Sequence, residues 1–211
     1  MLTRACVICC HPDPESFTSA GLQTVIRELR AAAIETRIED LYATGFAPVL
    51  HRQGVADYPY YPGNTEAVRR HVENIQWCDM LIFVYPTWWY SLPAMLKGWL
   101  DRTMVPGVAF HLPPSGGGSI QPGLSHITHL AVFTTCGASR IWTYIVGAPG
   151  KRILLRGLRA VCARRTRTAF AAHYKMDSST PASRARHLKK VEHVLKTFLA
   201  GASPSKKEVG S

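Results

Sequence analysis

The stretch DMLIFVYPTWWYSLPAMLKGWL, residues 79–100, joins two kinds of hydrophobic pattern across an aromatic loop. Its first part, Met80 to Tyr85, is a short apolar and aromatic run that is typical of a buried strand. Its last part has apolar residues at the spacing of one helix face, namely Leu92, Met95, Leu96, Trp99 and Leu100. The pattern therefore predicts a strand, a loop that contains three consecutive aromatic residues, and an amphipathic helix.

The same alternation continues on both sides of this unit. Four further strands are predicted, at Ala5 to Cys10, Thr36 to Leu41, Leu130 to Thr135 and Thr168 to Tyr174. Helical patterns lie between or after them, around Leu22 to Leu29, Val68 to Ile75 and Leu188 to Phe198. Parallel strands need crossover helices, and right-handed crossovers place helices on both faces of a sheet. The fold class predicted is α/β, a three-layer doubly wound sheet of five parallel strands, with Thr36 to Leu41 as an outer strand.

Length and composition favour one globular domain. The chain has 211 residues, of which 46% are hydrophobic and 18% are charged. We expect a single domain over residues 1–200 and a disordered C-terminal tail over residues 201–211, GASPSKKEVGS. The apolar run at Ala5 to Cys10 is too short for an export signal, and no apolar stretch is long enough to span a membrane. Six cysteines without paired zinc-type spacing fit a reducing cytosol, so we expect a cytoplasmic protein without a metal site.

The formal net charge is +11, and residues 151–167 hold seven Lys or Arg and no acidic residue. One interpretation is a solvated helix face with Leu154, Leu155, Leu158 and Val161 pointing inward. The others are contacts with a phosphate-bearing cofactor, with an anionic membrane surface or with nucleic acid. No groove-reading motif accompanies the charge, so we expect no nucleic-acid partner.

Ligands of open parallel sheets bind beyond the carboxyl ends of the strands. After the first predicted strand, Ser16, Phe17 and Thr18 open a helix whose backbone N–H groups favour an anion, with His11 alongside. An ordinary capped helix is the alternative interpretation. The segment therefore predicts a phosphate site only in combination with its neighbours.

The next two loops add an apolar wall and a polar edge. After the strand at Met80, Trp88 and Trp89 expose indoles that a flat conjugated ring would cover, whereas Trp99 is expected in the core. After the strand at Leu130, Thr134, Thr135, Cys136 and Gly137 supply hydroxyls and a close backbone approach. Together the three loops predict one ligand site.

These segments resemble a known family. CCHPDPESFTSAG, EDLYATGFAPVL, DMLIFVYPTWWYSLPAMLKGWLDRTMVPGVAF and TTCGAS are similar to the flavodoxin-like-fold NAD(P)H:quinone oxidoreductases of the DT-diaphorase type, over roughly residues 3–140. The block P-x-x-W-[YF]-x-x-P-x-x-L-K-x-W is the most specific part. The resemblance implies a flavin, with its phosphates and ring held by these residues: His11, Ser16, Phe17, Thr18, Pro86, Thr87, Trp88, Trp89, Thr134, Thr135, Cys136 and Gly137.

The sequence departs from that family beyond the TT-x-G loop. Family members of the animal type have a Tyr and a His there, whereas RIWTYIVGAPGK, residues 140–151, places Trp142 and Ala148 near those positions. The family's pocket tyrosines are also replaced, around Phe110 and Leu112. We expect backbone N–H groups of the TT-x-G loop to stabilise the reduced flavin, with Arg140 as an added cation. Trp142 and Tyr144 are the candidate catalytic residues.

The resemblance implies an enzyme that takes hydride from NADH or NADPH at flavin N5 and passes two electrons to a quinone or similar acceptor. FAD is the expected cofactor, with FMN as the alternative. A homodimer is expected, because the family builds its pocket between two chains and the segments Tyr58 to Pro62 and Phe110 to Pro114 lack an obvious core position. Two alternatives remain: a flavodoxin-type electron carrier, which a net charge of +11 fits poorly, and a regulatory flavin-binding subunit.

Overall fold

The computed structural model describes residues 2–113 and 117–200, and parallel strands form its centre. In chain order the elements are β1 (Arg4–Cys9), α1 (Phe17–Ala31), β2 (Glu35–Asp40), α2 (Arg52–Asp57), α3 (Arg69–Trp77), β3 (Met80–Thr87), α4 (Ala94–Thr103), β4 (Phe110–His111), β5 (Gln121–Pro122), β6 (His129–Cys136), α5 (Arg140–Ile145), α6 (Pro149–Arg152), β7 (Arg167–His173) and α7 (Pro181–Ala200). Short 3₁₀ turns occupy Gly63–Val68, Leu158–Val161 and Met176–Ser178, and a π-helical turn occupies Ile153–Gly157.

The main sheet has five strands in the order β2-β1-β3-β6-β7. All four neighbouring pairs are parallel. The predicted α/β architecture is therefore confirmed, and β2 lies at an edge of the sheet as expected. The short strands β4 and β5 form a separate antiparallel pair within one of the long connections.

Successive strand residues point to opposite faces of the sheet, which divides the core into two parts. From β3, Leu81 and Phe83 join the cluster under α3, α4 and the 149–161 crossover, while Ile82 joins the cluster under α1 and α7. Trp99 of α4 is fully buried and packs edge to face on Phe83, with ring centroids 6.1 Å apart. The expected core position of Trp99 is confirmed.

Helix α4 also holds the long loop after β2 in place. A Cβ atom at Gly98 would lie 2.2 Å from the Pro48 carbonyl oxygen and 2.4 Å from Pro48 Cβ. Such distances are far inside van der Waals contact, so only glycine permits this approach of loop and helix. The contact keeps the loop against the face of α4, beside the strand end that leads into the aromatic loop.

The crossover between β6 and β7 differs from the regular helix that its leucine spacing predicts. It is built from α6, a π-helical turn and a 3₁₀ turn, and its apolar residues pack on one core cluster without a continuous α-helix. Leu154 and Leu158 are buried as expected, while Leu155 and Val161 are only partly buried against the core. The arginines of this segment are exposed, which agrees with the solvated-face interpretation: Arg152, Arg156, Arg159, Arg164 and Arg165.

Two other expectations meet different outcomes. Tyr58 and Phe110 pack against the core, so the expectation that their segments lack a place in a single chain is wrong for these residues. Tyr60 and Tyr61 are exposed, and Pro114 lies outside the described residues. The predicted tail, residues 201–211, also lies outside them. Among the helices within residues 2–113 and 117–200, none has the length and apolar content that crossing a membrane requires.

Candidate functional site

Three loops meet at the carboxyl edge of the sheet. The Cys10 N–H donates to the Val84 carbonyl at 3.1 Å, which joins the end of β1 to the end of β3. The hydroxyls of Thr87 and Thr134 lie 2.9 Å apart and join the end of β3 to β6. The sheet thus brings together the loops in which the sequence places its candidate residues.

The first loop ends in the N-terminus of α1. Ser16 is the N-cap, and its hydroxyl oxygen accepts a hydrogen bond from the Ser19 N–H at 3.2 Å. Helix geometry leaves the backbone N–H groups of Phe17 and Thr18 without an intrahelical partner. His11 Nδ1 lies 3.0 Å from both the backbone nitrogen and the carbonyl oxygen of Asp13, which holds the ring beside the helix start. This helix end therefore suits an anion, because it combines N–H donors with the positive end of the helix dipole.

Phe17 contributes its backbone here and uses its ring elsewhere. The ring packs on His173 and His187, with centroids 5.4 Å and 5.8 Å away. Thr18 is buried beneath the helix start and lies beside Thr134 and Thr135 in a small cleft at the sheet edge. The side chain of Phe17 is therefore a packing element of the site.

The second loop is a tight turn with an unusual backbone. Trp88 and Ser91 exchange two backbone hydrogen bonds, of 3.2 Å and 3.0 Å. The two residues between them, Trp89 and Tyr90, have positive φ angles of 46° and 62°. This is the geometry of a type I′ turn, which usually requires Asn or Gly, and for other residues it costs roughly 1–2 kcal/mol each. Strain of this kind concentrates at functional sites.

The turn presents its indoles to solvent. Trp89 is 91% exposed, and its ring meets Tyr90 edge to face with centroids 6.0 Å apart. Trp88 is less exposed, and its ring centroid lies 6.2 Å from that of His11. Pro86 is buried at the end of β3 and positions the turn. The arrangement leaves a large apolar surface open directly beside the anion-favouring helix end.

The third loop packs closely and leads into a short helix. Cys136 is buried, with its Sγ 3.5 Å from the Thr143 hydroxyl. Gly137 is exposed, but a Cβ atom there would lie 2.9 Å from Asp177 Oδ2. Ser139 then caps α5, because its hydroxyl accepts the Trp142 backbone N–H at 3.2 Å. Glycine at position 137 thus leaves room for the Asp177 side chain, and the Ser139 cap fixes the start of α5 directly after the loop.

The candidate catalytic residues of α5 occupy different positions. Tyr144 is 80% exposed, and Arg140 is also exposed. Trp142 is half exposed and donates its indole N–H to the Tyr90 hydroxyl at 2.9 Å. Tyr90 also lines a small cavity together with Thr87 and Thr134. The sequence analysis missed Tyr90, although it stands in the same aromatic triplet.

A basic pocket behind α1 was also missed. His173 and His187 are buried there with ring centroids 5.2 Å apart, and the pocket is also lined by Lys175, Arg186 and Lys190. Burial, and then the charges of His173 and Lys190, lower the pKa of His187 to about 4. His173 Nδ1 is buried and has no hydrogen-bond partner among the described residues. The position of HYK, residues 173–175, at the carboxyl end of the last strand was the available signal.

Comparison with known proteins identifies the family. The family described as flavodoxin-like fold matches residues 3–195. The chain belongs to this flavodoxin-like family. The resemblance drawn from the sequence motifs is thereby confirmed, and the strand order of the sheet agrees with it.

Individual relatives share part of their sequence with this flavodoxin-like chain. "Ribosyldihydronicotinamide dehydrogenase [quinone]" of Rattus norvegicus is 29% identical over 157 residues, which cover 66% of this chain and 66% of that protein. The chain thus spans just under two thirds of that relative. The structure of "NAD(P)H:quinone oxidoreductase from Methanothermobacter marburgensis" has a TM-score of 0.78 at 22% identity. The aligned residues cover 92% of this chain and 97% of that chain.

A second solved structure has the same fold. It is described as an FMN-dependent NADH-azoreductase from Bacillus anthracis str. Ames Ancestor in complex with FMN, and its TM-score is 0.70 at 15% identity. The likeness covers 93% of this chain and 100% of that one. At these identities, the two structural likenesses show the fold alone.

Proposed function

We propose that this chain is a flavin-dependent NAD(P)H oxidoreductase that passes two electrons to a quinone or a similar acceptor. The observation that carries the proposal is the placement of an anion-favouring helix end and an exposed indole, Trp88, side by side at the carboxyl edge of one sheet, with the exposed Trp89 next in the same turn. A flavin phosphate and a flat flavin ring need these two features together. The names of the rat and Methanothermobacter marburgensis proteins support a quinone as acceptor.

The residues present fit such a cofactor. A bound flavin would supply the redox chemistry, by accepting hydride at N5 from NADH or NADPH and passing both electrons on. His11, Ser16 and the backbone N–H groups of Phe17 and Thr18 would bind the phosphate. The remaining ring contacts would come from the two other loops, at Pro86, Thr87, Trp88, Trp89, Thr134, Thr135, Cys136 and Gly137.

Charge stabilisation is the second task of the protein. Backbone N–H groups of Cys136 and Gly137 would face the polar edge of the ring and stabilise the negative charge that arrives with two electrons. Arg140 would add a cation from the first turn of α5. Because backbone N–H groups do not titrate near neutral pH, reduction of the flavin would not depend on a side-chain proton relay.

The basic pocket favours FAD over FMN. His187 lines both this pocket and the cleft beside Thr18, so the two spaces adjoin at the His187 ring, next to the start of α1. Arg186 and Lys190 would pair with a second phosphate, and the unpartnered His173 Nδ1 would gain a hydrogen bond. FMN, which the Bacillus anthracis protein binds, would leave these groups unused.

A homodimer is part of the proposal, and the exposed face of α5 supports it. Ile141 is 75% exposed and Ile145 is 64% exposed, and Val146 continues the same apolar patch. Contiguous apolar surface of this kind marks an interface, and a two-fold axis would let one patch cover its equivalent in the partner. The patch adjoins Trp142, so a second copy would also help to enclose the site.

A cytoplasmic location remains part of the proposal. All six cysteines are buried free thiols in the structure, which suits a reducing compartment. Burial raises the pKa of Cys9 and Cys10 to about 12, so these thiols stay protonated and unreactive. The exposed arginines of residues 152–165 are proposed to be a solvated surface without a nucleic-acid partner.

Reconstitution tests the proposed function. Purified protein is mixed with excess FAD or FMN and desalted, and the retained flavin is measured by absorbance and mass spectrometry. We expect one flavin per chain and oxidation of NADH or NADPH when a quinone is added.

The variant Trp89→Ala should lose flavin, whereas Trp77→Phe, whose ring lies under Arg37 away from this edge, should retain it. A colourless product with both cofactors would refute the proposal, and reduction only through a partner protein would favour the electron carrier.

A further inference from the structure

The hydrogen bond between Trp142 and Tyr90 leaves a hydroxyl hydrogen available inside the site. Trp142 Nε1 lies 2.9 Å from the Tyr90 hydroxyl oxygen. An indole N–H is only a donor, so the Tyr90 oxygen is the acceptor and keeps its own hydrogen free. Tyr90 lines the cavity that Thr87, Thr134 and Cys136 also line, which is the cavity at the predicted flavin edge.

We propose that the Tyr90 hydroxyl donates a hydrogen bond to the carbonyl oxygen of the quinone acceptor, and that Trp142 positions it. The inference rests on the function proposed above and names a residue that acts on its substrate. Negative charge develops on the quinone oxygen as two electrons arrive, and a hydrogen bond to that charge stabilises the transition state. The N–H bond that Tyr90 accepts polarises its hydroxyl and makes it a stronger donor.

The backbone around Tyr90 supports a functional role. Its φ angle of 62° is costly for a residue with a side chain, and a glycine would avoid the cost. The turn survives because Trp88 and Ser91 close it with two hydrogen bonds and Trp142 ties Tyr90 to α5. The strained backbone thus holds one particular hydroxyl at the cavity wall.

Tyr144 does not compete for this role in the described chain. Its ring is 80% exposed on α5, and it is not among the residues that line the cavity beside Thr134. Tyr90 lies in the turn after β3 and Trp142 lies in α5, 52 residues further along the chain. Tyr85 and Tyr174 line the same cavity, but the Tyr90 hydroxyl is the one that accepts the Trp142 indole N–H, so Tyr90 is the candidate catalytic hydroxyl and Trp142 is a positioning residue.

The kinetic test separates the two half-reactions by stopped flow in the wild type, Tyr90→Phe, Trp142→Phe and the double variant. We expect Tyr90→Phe to slow quinone reduction by roughly tenfold to a hundredfold, the range of one hydrogen bond to a charged group. Flavin reduction by NADPH should change by less than about threefold. Reduction of ferricyanide, which offers no carbonyl oxygen, should be unchanged.

The double variant tests the positioning role of Trp142. If Trp142 acts only through the Tyr90 hydroxyl, Trp142→Phe should slow quinone reduction in the wild type but add no loss to Tyr90→Phe. If Tyr90→Phe slows the reduction of quinone and of ferricyanide equally, the hydrogen bond to Trp142 only stabilises the turn, and the proposal is overturned. Trp77→Phe is the matched control for loss of an indole N–H.

Two measurements do not depend on turnover. In a ¹H–¹⁵N spectrum of the flavin-free protein, the Trp142 indole resonance should move upfield in Tyr90→Phe, and an unmoved resonance would overturn the contact. Flavin affinity of Tyr90→Phe should stay within about threefold of the wild type.

If the wild type binds no flavin, the proposed function and this inference both fail. If the wild type turns over quinone and Tyr90→Phe is equally fast, only this inference fails.

Discussion

The variant Ser16→Asp should separate the structural role of the α1 N-cap from its proposed contact with a phosphate. Ser16 accepts the Ser19 N–H at 3.2 Å, and aspartate caps helices as well as serine does. A carboxylate at a helix N-terminus also gains about 0.3–1 kcal/mol from the dipole. The free energy of unfolding should therefore be unchanged or slightly higher.

Flavin binding should respond in the opposite direction. A carboxylate about 5 Å from a phosphate charge, at an effective dielectric constant of about 20, raises the energy by about 3 kcal/mol. This corresponds to a loss of affinity on the order of a few hundredfold. Ser16→Ala removes the cap without adding charge, so it should cost about 1 kcal/mol of stability and less than about tenfold in affinity.

Fluorescence quenching measures these affinities, with flavin-free protein titrated into FMN, FAD or riboflavin. Riboflavin lacks a phosphate, so its affinity should be the same for Ser16→Asp and the wild type. Urea denaturation of the same samples reports stability. The phosphate assignment is wrong if Ser16→Asp binds FMN as tightly as the wild type, or if it loses riboflavin and FMN equally.

Three further predictions concern stability and turnover. Burial lowers the pKa of His129 from 6.5 to about 4. The stability that the neutral ring gives to the folded state is therefore fully present above pH 6.5 and is lost as the pH falls toward 4. Between pH 6.5 and pH 4, the free energy of unfolding measured with urea should fall by about 2–3 kcal/mol less in His129→Leu than in the wild type. An equal fall in both proteins would contradict this. Gly98→Ala should lower the free energy of unfolding by about 1–3 kcal/mol because its methyl group meets Pro48 backbone, whereas Gly157→Ala, which meets no atom within 4 Å, should be neutral or stabilising. Tyr144→Phe should slow flavin reduction by NADPH less than about tenfold in stopped flow, and a thousandfold loss with flavin bound would restore Tyr144 as a required donor.

Local periodicity was sufficient for the sheet and for the general position of the site. Each predicted strand coincides with an observed one to within two residues, because a run such as Met80 to Tyr85 is apolar only if both of its faces are buried. The carboxyl-edge rule then placed Ser16, Trp89 and Thr134 together without any knowledge of their contacts. Trp99 was assigned to the core because its spacing matched a helix face, and burial confirms this.

The remaining features depend on contacts that no local pattern encodes. The hydrogen bond between Trp142 and Tyr90 joins residues 52 positions apart, and the edge-to-face contact of His173 and His187 joins the end of β7 to α7. Leucine spacing in residues 154–161 predicted a regular helix, but the path from β6 to β7 is taken by short turns that bury only Leu154 and Leu158 fully. The sequence by itself thus determined the family, the sheet and the edge at which a ligand is proposed to bind, because periodicity reports burial. The tertiary structure alone decided which hydroxyl and which basic groups face that edge, because loop conformation and packing orient side chains.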